Sequence, residues 1–349
     1  MSLLFCMLLI GVTLISGCAL PYYWQAAAGQ LELLGQRVPI SEALADPEQR
    51  EAIRTALRYA ADIREFAVSE LSLPDNDSYR SYVDLGRSYV VWNVIAADEF
   101  SIDARQWCFP IAGCVTYRGY FDEAAANRYA ARLSTQGLDT YVTGVSAYST
   151  LGYLSDPILN TMLTSGKFYI ARVIFHELAH QRFYISGDTE LNEAFASAIE
   201  EYGVQRWLSH TGDQQGLKAY QKQQSRRQDF FRLVTDQQAR LREIYAAPIT
   251  LDEMRYAKSV AFAVLVTEYE NVRRSWGNSV DYESWFLTPL NNAKIASVTA
   301  YSKWLPNLRF YLNQHGLEAF YTEMAHLAEL PGPERALRVA SYSATISLP

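Results

Sequence analysis

Residues 173–196 read VIFHELAHQRFYISGDTELNEAFA, and this stretch constrains the fold more than any other. His176 and His180 are four apart, so on a helix their side chains project from one face, one turn apart. Glu177 is rotated by about 100° from His176. Ser186-Gly187-Asp188 reads as a turn, with Asp188 or Thr189 able to cap a second helix from about Thr189 to Leu208. The chain must therefore fold back on itself as an antiparallel αα-hairpin. Measured from the turn, His180 and Glu193 each lie roughly 8–9 Å away and stand at one height. Glu190 is too near the turn, and Glu200 lies higher, beyond His176. Two imidazoles and one carboxylate on facing helices are a ligand set for one Zn²⁺ per chain, with a fourth position open. His176, His180 and Glu193 are the expected ligands. Glu177, beside the metal but not on it, is placed to act as a general base toward water. Ser197 or Glu200 is offered to hold His176 from behind, with an ordinary helix-face role as the alternative for both. The chain has only five His, and two fall here.

Around the hairpin, the 349 residues are 49% hydrophobic and 20% charged, a globular balance. A net charge of -7 without a long basic run argues against nucleic acid as a partner. Residues 21–36 and 47–71 read as helices, the second with Ile53, Leu57, Ala60 and Ile63 on one stripe and Asp46-Pro47 as its start. Between about 88 and 150, short β-branched and aromatic segments punctuated by glycine read as strands of a small mixed sheet, interrupted by a helix at DEAAANRYAARLSTQG. From 157 onward the periodicity is helical: 157–185, 189–208, 214–246, 251–276, 290–313 and 316–329. The order predicts a predominantly helical α+β fold, with a helical and small-sheet part over 19–210 and a helical part over 211–349.

The first residues, MSLLFCMLLIGVTLISGCAL, carry an apolar run of signal-peptide length that is short for a membrane span. Its end, LISGC, resembles a bacterial lipobox. The resemblance implies a signal peptide over 1–17, cleavage before Cys18 and a lipid on Cys18. With Ala19 next, it implies an outer-membrane lipoprotein whose domain over 18–349 faces the periplasm. Cys108 and Cys114 flank a Pro-Ile-Ala-Gly turn; in that oxidising compartment they would close a small disulfide, with two free thiols as the alternative.

HELAHQ followed by LNEAFA resembles the gluzincin metallopeptidases, above all aminopeptidase N-like enzymes, whose motif pair reads HELAHQ and LNEGFA. By that match His176, His180 and Glu193 bind Zn²⁺, Glu177 is the base, and the fold is zincin-like. The linker here is shorter than in that family. A wider similarity, through CFPIAGCVTYRGYFDEAAA, GVSAYSTLGYLSDPILNTML and LNNAKIASVTAYSKWLPNLRFYL, is to putative-aminopeptidase lipoproteins of Gram-negative bacteria. The resemblance implies a zinc-dependent peptidase acting on peptide substrates, an aminopeptidase first, with a zinc-stabilised or inactive envelope lipoprotein as the alternative. It also implies an oxyanion donor on a later helix, for which Tyr301 is the candidate. Aminopeptidase N-like enzymes read the substrate amine with a glutamate on a strand upstream of the zinc helix. The comparable place here is TGVSAYSTLGY, where Gly144 marks an edge strand able to pair with a peptide and Tyr148 and Ser149 can line the cleft. It has no acid before Asp156, so Asp156 or Glu190 reads the amine, or the enzyme is not an exopeptidase.

Overall fold

The computed structural model describes residues 20–109, 113–299 and 303–342. The chain enters as α1 (Leu20–Gly35), then β1 (Val38–Pro39), α2 (Ile40–Ala45) and α3 (Glu51–Ser69). The apolar stripe of α3, Ile53, Leu57, Ala60 and Ile63, is buried as its spacing requires. The helix starts four residues later than the Asp46-Pro47 signal suggests. Asp46 instead ends α2 in an extended conformation, as a residue before proline prefers, and its carboxylate accepts from Glu48 N at 2.9 Å.

The strands follow as β2 (Ser81–Val83), β3 (Val91–Asp98), β4 (Trp107–Phe109), β5 (Gly113–Val115) and β6 (Arg118–Tyr120). Then come α4 (Glu123–Ser134), β7 (Leu138–Val145) and β8 (Ile158–Leu159). They form small sheets rather than one: β1-β2-β8, antiparallel then parallel; β6-β3-β7, antiparallel; and the hairpin β4-β5. A disulfide joins Cys108 to Cys114 across that hairpin. β7 lies at the edge of its sheet, with Gly144 opposite Trp92. A side chain at Gly144 would collide with the Tyr89 ring, which explains the glycine.

The single helix expected over 157–185 is three elements: β8, α5 (Asn160–Leu163) and α6 (Lys167–Arg182). Pro157 opens a strand that pairs with β2, the Asn160 side chain bonds Leu85 N and Arg87 O, and Gly166 turns the chain at φ 91°. Next are α7 (Thr189–His210), α8 (Gln214–Ala246), α9 (Leu251–Ser275), α10 (Glu283–Phe286), α11 (Asn292–Thr299), α12 (Leu305–Glu329) and α13 (Gly332–Ala340). The break expected between 313 and 316 is a kink inside α12, at Gly316 with φ 78°. Where one helix is expected over 290–313, the described residues give α11 up to Thr299 and α12 from Leu305, with Lys303 and Trp304 in neither.

The largest core gathers α3, α6, α7 and α12 around Phe66, Phe175, Phe195 and Phe320. A second core, with Phe230, Leu265 and Tyr269, holds α8, α9 and α10 together. No described helix is long and apolar enough to cross a membrane.

Candidate metal centre

The connection between α6 and α7 is short because side chains replace a longer turn. Asp188 caps α7, accepting from Leu191 N at 3.2 Å, and its other oxygen meets Arg335 at 2.7 Å. The buried Asn192 amide bonds both backbone groups of Ile185, at 2.8 and 2.7 Å. Gly187 supplies the left-handed φ of 83°. The two helices are thus registered with Glu193 opposite the histidines.

His176, His180 and Glu193 come together with their ligand atoms all within 4.8 Å of one another. His176 Nε2 lies 3.2 Å from His180 Nε2 and 3.2 Å from Glu193 Oε2, and His180 Nε2 lies 3.5 Å from Glu193 Oε1. Ligands about 2.0–2.1 Å from a tetrahedral centre are about 3.3–3.4 Å apart. The donor set and its spacing therefore fit a metal ion, compatible with Zn²⁺. Without a metal, one of the two facing imidazole nitrogens must carry a proton to donate to the other.

Of the two residues offered for His176, Glu200 is the one whose carboxylate meets Nδ1, at 3.1 Å. Ser197 is buried one turn away on the same helix. Glu200 is itself held by Arg172 from α6 and by Arg227 from α8, the latter at 3.0 Å. Burial opposes its charge, yet the two guanidinium groups and His176 hold its carboxyl well below the usual range. Burial also raises the Glu193 carboxyl, but its bonds to the histidines win and lower it to about 2. Burial pushes His176 down, but Glu193 and Glu200 outweigh it and lift the ring to about 10. These side chains press for positive charge at the centre, and the proton on His176 is the competitor a metal must displace. His180 is less supported: its buried Nδ1 has no hydrogen-bond partner among the described residues.

Glu177 is half-buried beside the triad, and its charge bears on Tyr79, Tyr117, Tyr169 and Asp156. Tyr117, between β5 and β6, also feels Glu193. Burial first, then these two carboxylates, push its phenol up to about 12, so it stays a hydrogen-bond donor. Tyr79 carries a φ of 63°, and its buried hydroxyl lies by Ser149. Arg172, Arg227, Tyr79 and Tyr117 are absent from the sequence reading. Only Arg172, four residues before His176, carries a spacing signal that could have found it.

Tyr148 is partly exposed and packs edge-on against Phe121. Asp156 is buried, and its carboxylate accepts from Thr150 N at 2.9 Å, Thr150 Oγ1 at 2.9 Å and Ser149 Oγ at 3.1 Å. It shapes the loop between β7 and β8. Glu190 is exposed and lies 3.4 Å from Lys303. Tyr301 and Cys18 lie outside the described residues.

The model of a family described as "Putative aminopeptidase" matches residues 21–339. The chain belongs to that family. The match spans the α6–α7 hairpin, the sheets and the C-terminal helices alike, and is not confined to the motif. No curated protein and no solved structure matches the chain.

Proposed function

We propose that this member of the family is a zinc-dependent peptidase, an aminopeptidase in keeping with the family's description, with a zincin-like site. The observation that carries the reading is the two imidazole nitrogens and the Glu193 carboxylate converging within metal-binding distance, with Glu177 next to them. When bound, Zn²⁺ supplies a Lewis acid that polarises a peptide carbonyl and acidifies water. Glu177 takes the proton from water and returns it to the leaving amine. Glu200, fixed by Arg172 and Arg227, keeps the His176 Nδ1 proton in place, so that Nε2 is the ligand atom. Tyr117 donates to the carbonyl oxygen as charge develops there. This role falls to Tyr117 within the described residues; Tyr301 is the second candidate. The edge of β7 near Gly144 pairs with an extended peptide, and Tyr148 borders it. Asp156 already has three donors and Glu190 a lysine, so neither stands free for the substrate amine. The LISGC signal supports placing the enzyme on the outer membrane, through a lipid on Cys18, with the site facing the periplasm.

Glu177→Gln keeps the metal ligands and removes the base. Its zinc content, by elemental analysis, should equal that of the wild type, while hydrolysis of a mixed peptide library falls at least ~100-fold. Full activity in this variant rejects the reading. Zinc without activity in the wild type on any peptide marks a structural site instead. Loss of single N-terminal residues supports the aminopeptidase assignment, and internal cuts replace it with an endopeptidase.

A further inference from the structure

Helix α1 is bound to the protein along one side only. On that side Gln25 bonds Gly119 O at 3.4 Å and Phe121 N at 3.0 Å, Gly29 lies under the Phe121 ring, and Leu33 is buried. The opposite side carries Pro21, Trp24, Ala28, Leu31 and Gly35, spaced three and four apart in one stripe, all exposed. Trp24 is 75% and Leu31 68% exposed. Glu32, at the margin of the stripe, is the only charged side chain in the helix. Arg37, just past the end of α1, bonds Ser155 O at 2.8 Å and so sets Tyr153 and Leu154, both exposed, beside it. A surface helix with an uncharged apolar face centred on Trp and Leu has the composition of an interfacial helix. Exposed apolar area of this continuity marks an interaction surface.

We propose that this face of α1, extended by Tyr153 and Leu154, lies in the interfacial region of a lipid bilayer. The position of the helix names the occupant. If Cys18 carries a lipid, only Ala19 separates the anchor from Leu20, and two residues span at most about 7 Å. In this respect the proposal rests on the anchor reading. The net charge of -7 and the lack of basic side chains on the stripe make the contact apolar, not a response to anionic headgroups. The loop carrying Tyr153 and Leu154 also places Gly152 against Gln181, next in sequence to His180.

The test uses the full chain with Cys18 retained and an environment-sensitive fluorophore on L31C, or on L287C as a control far along the chain (Leu287 is 78% exposed). Each protein is incorporated into phosphatidylcholine vesicles with and without nitroxide-labelled lipid, and the Cys18 peptide is weighed for a lipid. The nitroxide should quench the probe at 31 and leave that at 287 unchanged, equally in vesicles doped with anionic lipid. W24S should lower the quenching at 31. A lipidated Cys18 with the probe at 31 open to aqueous iodide overturns the proposal and leaves the anchor standing. Quenching at 31 without a lipid on Cys18 supports the helix face and rejects the anchor. Shielding of residue 31 before any vesicle is added means a protein surface covers it, and this too overturns the proposal.

Discussion

The α6–α7 and α8–α9 hairpins are alike in backbone and opposite in what they bury. Both fold antiparallel about a short, side-chain-capped connection. In α6–α7 the buried polar residues include His180, Asn192, Glu200 and Glu201, enclosed with Phe175 and Phe195. The buried acids are answered by cations from other elements: Glu200 by Arg172 and Arg227, Glu201 by Arg309. In α8–α9 one apolar stripe with Leu241, Ala261, Leu265 and Tyr269 does the packing. Its buried polar residues, Gln224, Gln237 and Gln238, are neutral, and a pair such as Arg240–Glu268 stays half-exposed. The first hairpin draws specificity from matched internal charge and the second draws stability from area. Charge buried with its partners is costly to disturb on one side only, whereas surface pairs contribute little.

The sharpest break in this contrast is Glu200→Ala. It leaves Arg172 and Arg227 facing a void and His176 Nδ1 unpaired. The expected loss is about 3–5 kcal/mol of stability in denaturant titration and ~10–100-fold in zinc affinity by chelator competition. Arg240→Ala in the other hairpin should lose no more than about 1 kcal/mol and leave zinc untouched. Equal losses would abolish the distinction. Zinc affinity should also follow pH with a definite sign. His176 keeps its proton up to about 10, so below that pH the metal displaces one proton. Affinity then rises about tenfold per pH unit, measured against a buffered chelator. A flat profile between pH 6 and 9, on the order of those units, would mean that Glu200 and Glu193 do not hold that proton.

A smaller effect concerns a buried cation at the base of the second hairpin. Lys294 is fully buried, bonded to Trp285 O and to both oxygens of Thr288, with no carboxylate among these partners. Burial pushes its ammonium down to about 8. Between that value and 10.5 the unfolded chain holds the proton and the folded one does not, so stability should rise with pH across this window. The gain is on the order of 2 kcal/mol. Lys294→Met should remove the rise, with stability at neutral pH equal to or above that of the wild type. The pH dependence of chemical denaturation compares the two, and a rise that survives in the variant rejects the assignment.

The metal hairpin is legible in the sequence because coordination chemistry demands a local spacing. His176 and His180 lie one turn apart, and helical rise alone selects Glu193. β3 and β7 are legible as β-branched, aromatic runs. What escapes is set by distant partners. β8 is a two-residue strand that exists through its pairing with β2, far upstream. Arg227 meets Glu200 only because α8 folds back across the hairpin. Tyr117 is one of 24 tyrosines, and nothing local separates it from the rest. Asp46-Pro47 fails for a different reason: the same pair is a sound signal for a helix start, and here it ends the preceding helix.

The finest test compares the two caps. Thr250 opens α9 in a capping box, its hydroxyl accepting from Glu253 N and the Glu253 carboxylate accepting from Thr250 N. Asp188 opens α7 in the same position but also binds Arg335, which is mostly buried. Thr250→Ala removes the two exposed hydrogen bonds of its hydroxyl, to Glu253 N and to the Glu253 carboxylate, and should lower stability by about 1 kcal/mol, with zinc affinity unchanged. Asp188→Asn keeps the cap and removes the charge facing Arg335; Asp188→Ala removes both. If the α6–α7 connection depends on internal charge, Asp188→Asn should already lose more than Thr250→Ala and weaken zinc binding. The turn would then no longer hold Glu193 at the height of His180. If Asp188→Asn behaves as the wild type while Asp188→Ala matches Thr250→Ala, the two connections are energetically the same. The special character of the first hairpin would then be confined to the surroundings of Glu200.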